Sequence, residues 1–142
     1  MPFYYQEKFI EHNLSDCPPK NYRAKDITEV FRWVFDEMED DRNFKSQFDK
    51  KPQRYLTKDD AAKCSGLALS MFDSLENAIV RFTFLKKMMK TKVYQELGTK
   101  VSVGQITQND GVCGELNKDG HFNHHPMKNH NYSQRFKIIH TL

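Results

Sequence analysis

The chain has 142 residues, 38% of them hydrophobic, and 22 Lys and Arg against 19 Asp and Glu give it a net charge of +3. That length fits one domain able to bury its own core, with 11 Phe, 6 Tyr and 1 Trp as the large apolar side chains. No apolar run approaches the roughly 18 residues a membrane helix requires, which excludes a spanning helix and leaves a cytoplasmic chain as the expectation. Cys17, Cys64 and Cys113 are odd in number, widely spread and without a C-x-x-C pair, so they read as reduced, mostly buried thiols and not as a disulfide framework.

Residues 1–23 are expected to be irregular apart from a short helix over 4–12, and "SDCPPKNY" reads as a Pro-bounded loop. Asp26 and Glu29 stand at capping-box spacing. Ile27, Val30, Phe31, Val34, Phe35 and Met38 recur at helical intervals, predicting a helix that the acidic run 36–41 ends. Residues 42–55 are polar with spaced aromatics and read as a loop or short strand over the core. Thr57 and Asp60 predict a short helix through Cys64, and "GLALSMF" (66–72) a buried strand. Ser74 is placed to cap a helix from 75 to about 90 whose inner face is Leu75, Ala78, Ile79, Phe82, Leu85 and Met89. From Gly98 onward, Val101 and Val103 alternate with polar residues, "NDG" (109–111) and "NKDG" (117–120) are hairpin-type turns, and "RFKIIHTL" (135–142) reads as a final strand. The expected architecture is a single α+β domain over 1–142: N-terminal helices, then a C-terminal antiparallel sheet of three to four strands.

Charge is unevenly distributed. Residues 1–85 carry 13 Lys/Arg against 15 Asp/Glu, and residues 86–142 carry 9 against 4 together with five of the six histidines. The basic half suits an acidic partner or a phosphate, although "KKMMKTK" (86–92) also fits the solvated C-terminal turns of a helix. No Arg/aromatic interleaving accompanies the charge, so nucleic acid is not the expected partner.

Four histidines fall in "DGHFNHHPMKNH" (119–130). On a strand, His121, Asn123 and His125 share one face while Phe122 and His124 share the other. His121 and His125 are then ~13 Å apart at ~3.3 Å per residue, too far for one zinc with ~2.1 Å bonds. The cluster is therefore not expected to hold a metal by itself; a site would need a partner such as Cys113. His121, directly after Gly120 at a strand entrance, is the histidine placed to act on a phosphate or as a general acid or base.

The segment 64–82 predicts strand, turn and Ser-capped helix, a junction that suits phosphate. Ser70 lies at the strand end, Ser74 at the cap, and Arg54 upstream is able to pair with a phosphate in bidentate fashion. Arg54-Tyr55, "GLALSMF" and "SLENA" (74–78), taken in this order, resemble the layout of ADP-ribosyltransferase-like folds. "SMFD" (70–73) with "GHF" (120–122) is also similar to a pattern found in small bacterial proteins. The first resemblance implies NAD as cofactor, with Arg54 and Ser70 carried over as dinucleotide-binding residues and Glu115 or His121 as the late catalytic group. "LSM" stands where the family has Ser-Thr-Ser, and no Glu-x-Glu or Gln-x-Glu is present. With no complete catalytic set visible, the expectation is a non-catalytic binding or accessory module without cofactor, whose partner is a protein or a small anionic ligand. The alternative is a small NAD- or nucleotide-handling enzyme built on Arg54, Ser70, Ser74 and His121 or Glu115.

Overall fold

The computed structural model describes residues 2–142. In chain order the elements are α1 (Gln6–Glu11), β1 (Ile27–Val34), α2 (Gln47–Lys50), a 3-10 turn (Pro52–Tyr55), α3 (Asp60–Gly66), β2 (Leu69–Phe72) and α4 (Leu75–Met89). There follow α5 (Lys92–Glu96), β3 (Lys100–Ile106), β4 (Gly111–Cys113), β5 (His121–Pro126), α6 (Tyr132–Arg135) and β6 (Lys137–Thr141). The six strands form one sheet in the order β4-β5-β2-β1-β3-β6, and every pairing is antiparallel.

This corrects the expected architecture. The fold is α+β, but its six strands are spread through the chain: β2 falls within 66–72, read as a strand, whereas β1 falls on a segment read as helix, and both lie ahead of the expected C-terminal sheet. The largest change is at residues 27–34, predicted as helix and observed as a central strand. Ile27, Thr28, Val30 and Val34 are β-branched, and Phe31 and Trp33 aromatic, all residues that fit a pleated surface better than a helix. A strand covered on both faces carries apolar residues in both phases, and these coincide with helical spacing over two turns. Asp26 caps nothing; its carboxylate accepts from the Gln108 amide at 3.0 Å. Residues 42–55, read as loop or strand, hold α2 and the 3-10 turn instead.

Covering helices and aromatics explain the two faces. On one face, α4 packs Ala78 and Phe82 over Phe72, Val101 and Trp33, and the Trp33 indole donates to the Ala78 carbonyl at 3.0 Å. The predicted inner face of α4 is buried or half-buried throughout, and Ser74 accepts from the Asn77 amide at 3.1 Å as the N-cap. On the other face, Val30, Leu69, Met71, Ile106 and Phe122 form a core roofed by Phe44, Tyr132 and Phe136. A smaller cluster of Tyr5, Phe9, Leu14, Phe48 and Leu67 fixes the N-terminal segment to α2 and α3.

Cys17 and Cys64 form a disulfide, which corrects the expectation that all three thiols are reduced; Cys113 alone is free. No helix among the described residues is long and apolar enough to cross a membrane.

Candidate anion-binding site

The residues singled out in the sequence go to separate places. Arg54 lies on the 3-10 turn, not on a strand, and its guanidinium pairs with Glu96 at 2.7 Å in solvent. Ser74 is the helix cap described above. Glu115 is exposed in the connection after β4, not on a strand. His121 opens β5 and packs its ring edge on Phe72 at 5.4 Å; burial and the nearby Arg81 lower its pKa. The close approach that Gly120 permits is made by Asp73 and Asn77 at the start of α4, which a Cβ there would meet at 2.4 and 2.3 Å. Ser70, on β2, is the one of these residues that lines the cavity built below.

The histidine stretch is a strand, as expected, and its imidazoles diverge. His121 and Asn123 are half-buried, whereas His124 and His125 are both fully buried, one on each face. His124 bridges Cys113 Sγ, 3.3 Å from Nδ1, and the Tyr132 hydroxyl, 2.6 Å from Nε2. Burial lowers the His124 pKa to about 3 and raises the Cys113 thiol to about 11, so at neutral pH this chain of polar groups is uncharged and the thiol is not a nucleophile. His125 faces away from it, between Phe9 and Tyr22, with Nε2 3.7 Å from Cys64 Sγ.

The group the sequence reading missed is Arg32. Along β1, Val30, Arg32 and Val34 are all buried, so the guanidinium stands in the phase reserved for apolar residues. Among the described residues it donates only to backbone carbonyls: Nε to Asn43 at 2.8 Å, Nη1 to Ser70 at 2.8 Å and Nη2 to Lys45 at 3.4 Å. No carboxylate among the described residues pairs with it. Five N–H donors minus these three leave two for whatever occupies the space in front. A buried cation without a counter-charge is costly, by several kcal/mol in order of magnitude. Burial lowers the Arg32 pKa to about 10, which leaves it charged at neutral pH.

The loop between β1 and α2 arranges the surroundings. Asn43, 1% exposed, accepts from the Phe35 amide at 2.7 Å and donates to the Glu37 and Met38 carbonyls at 2.7 and 3.3 Å. The Asn43 side chain thus holds the loop closed, and the residue's backbone carbonyl accepts from Arg32. Ser46 caps α2, and its amide donates to the Tyr5 hydroxyl at 2.9 Å. These elements bring Arg42, Lys45 and Lys50 round Arg32 in the wall of a cavity of about 80 Å³, together with Asn43, Gln47 and Ser70. That is room for a tetrahedral oxyanion, since one water needs about 10–15 Å³ on the same measure.

Arg42 is paired with Asp40 at 2.7 Å and stacked over Phe35 at 3.7 Å, and Lys45 is 3.5 Å from the exposed Asp41. Lys50 donates to the Glu96 carbonyl at 3.3 Å and has no carboxylate partner among the described residues. Burial, followed by repulsion from Arg32 and Arg42, lowers its pKa to about 8. Arg32, buried, and Lys50, half-buried, are therefore two cations in the wall of one small cavity with no carboxylate ion pair among the described residues. A wider groove of about 350 Å³ shares Arg42, Lys45, Gln47 and Lys50 with this cavity and adds Asp49, Lys51 and Glu96.

Comparison with protein-family models, curated proteins and solved structures finds no match for this chain.

Proposed function

We propose that this protein is a binding module for an anionic head group, a tetrahedral oxyanion of the phosphate class. The observation that carries the reading is the Arg32 guanidinium, buried in the strand's apolar phase, without a carboxylate, at the wall of an oxyanion-sized cavity. An anion there supplies the missing counter-charge and accepts charge-assisted hydrogen bonds from Arg32 and Lys50. The cavity wall contains no imidazole, thiol or carboxylate, so binding is favoured over catalysis. The adjoining groove accommodates the body that carries the head group, its volume being in the range of small-ligand sites. A protein partner has a different surface to use, the exposed line of Val80, Phe84 and Met88 on α4; the anion has a built pocket. The disulfide supports a non-reducing compartment over the cytoplasm.

A thermal-shift screen with sulfate, phosphate, ADP and NAD tests this reading. An occupant present at a hundred times its Kd stabilises by about 2.7 kcal/mol, roughly 10 °C for a domain of this size. Inorganic oxyanions are expected to raise Tm in the wild type and to lose that effect in Arg32→Met. A shift with NAD alone would point to the nucleotide-handling alternative through Ser70. No shift with any of the four would refute anion binding.

A further inference from the structure

We propose that Cys17, Cys64 and His125 form a redox-gated site for one thiophilic divalent cation of the zinc class, closed while the disulfide is intact and opened by its reduction. The proposal is independent of the anion pocket, with which it shares no residue.

Three distant parts of the chain converge on the site. Cys17 comes from the N-terminal loop, Cys64 from α3 and His125 from β5. Their two sulfurs and one imidazole nitrogen all lie within 4.8 Å of one another. Zinc holds sulfur at ~2.3 Å and imidazole nitrogen at ~2.1 Å with tetrahedral angles, so two of its ligand atoms stand about 3.6 Å apart. His125 Nε2 is already 3.7 Å from Cys64 Sγ, the edge length of such a tetrahedron. Only the two sulfurs are too close, because they are bonded to each other. Completing three corners requires that bond to break and the two sulfurs to separate to about 3.8 Å, the S–S edge of such a tetrahedron.

The surroundings fit a cation better than a bare dithiol. The imidazole is 1% exposed, and Nε2 is the ring nitrogen that faces Cys64 Sγ. Phe9 and Tyr22 hold the ring on two sides, at 5.6 and 5.8 Å between centroids. A cavity of about 350 Å³ opens on the sulfurs, with Asp16 and Asp60 in its wall. It provides access from solvent, and water supplies the fourth ligand. Two thiolates neutralise a divalent ion, so the filled site places no net charge beside the aromatic rings.

A dithiol gives two electrons and two protons and becomes a disulfide, or a phosphine gives two electrons and becomes its oxide while one water supplies the oxygen and both protons; either converts the Cys17–Cys64 bond to two thiols. The cation then displaces both thiol protons to solvent and binds two thiolates and the neutral imidazole. In the reverse direction, a two-electron oxidant re-forms the S–S bond and releases the ion.

Cobalt(II) is the probe, because thiolate coordination gives it charge-transfer absorption and tetrahedral geometry intensifies its visible bands. The full chain is reduced with a phosphine under argon and titrated with cobalt, then zinc. Near-UV circular dichroism is followed in parallel, so that binding to unfolded cysteines is recognised. The expected result is a 1:1 tetrahedral thiolate spectrum with native near-UV dichroism, bleached by zinc and absent from the unreduced protein. Cys17→Ser and His125→Ala are expected to lose the spectrum, and Cys113→Ser to keep it. No spectrum from the reduced wild type, a spectrum without native dichroism, or one that survives in Cys17→Ser would overturn the proposal and leave the disulfide as a structural cross-link only.

Discussion

Replacing Asn43 with alanine perturbs the fold and the anion pocket through one side chain, and its effect can be worked from the geometry. The substitution removes three hydrogen bonds, to the Phe35 amide and to the Glu37 and Met38 carbonyls. At a net ~1 kcal/mol each, their loss costs about 3 kcal/mol. The Phe35 amide is left buried, which adds about 1–3 kcal/mol if no water replaces the lost oxygen. The expected destabilisation is therefore about 3–6 kcal/mol, a large fraction of a typical domain's roughly 5–15 kcal/mol. Urea denaturation reads it as a lower midpoint at unchanged slope. Because the Asn43 carbonyl also receives Arg32 Nε at 2.8 Å, the variant is expected to bind sulfate more weakly than the wild type at a temperature where both are folded. Asn43→Asp keeps the acceptor for Phe35 but loses both donors, so it should fall between the two in stability. A loss below about 1 kcal/mol in Asn43→Ala, with unchanged sulfate affinity, would refute the idea that this residue holds the loop and the pocket together.

Three further outcomes follow from the same structure. Sulfate affinity should be steady below pH 7 and decline as pH rises through about 8, the folded pKa of Lys50, because the bound anion favours the protonated amine. In Lys50→Met that step should vanish, and sulfate is the probe because its own charge does not change in this range. Cys113, buried against His124 with its thiol pKa pushed up to about 11, should not react with a thiol reagent in the native unreduced protein and should react once the chain is unfolded; fast native labelling would contradict its burial. Reducing the Cys17–Cys64 bond, which spans 47 residues, should lower stability by about 4 kcal/mol through loop entropy, read by denaturant midpoint in metal-free buffer. An unchanged midpoint would mean that the cross-link does not constrain the unfolded chain.

What the sequence disclosed depended on whether a segment is covered on one face or two. α4 was legible because its inner face repeats over four turns and Ser74 supplies a cap. The strand character of 121–125 was legible from alternation after a tight turn, and with it the divergence of the imidazoles. β1 was not, because apolar residues in both phases imitate helical spacing over eight residues. That one misreading also hid the site. On a helix, Arg32 falls on the polar side and is unremarkable. On a strand, "VFRWV" (30–34) places it between Val30 and Val34 on the buried face, where an arginine requires explanation. The signal was present but needed the period of two to be seen. The Cys17–Cys64 pairing was not legible at all, because two cysteines 47 residues apart carry no spacing signature, and His125 joins them only through the packing of α1 and the N-terminal loop over β5.

The central claim is that Arg32 awaits an anion, and calorimetric titration of sulfate into wild type and Arg32→Met at pH 7 tests it most directly. The account predicts one saturable site in the wild type and none in Arg32→Met, with Arg54→Met, whose guanidinium pairs with Glu96 outside the cavity, binding like the wild type. Equal titrations for wild type and Arg32→Met, or no saturable binding in the wild type, would contradict it.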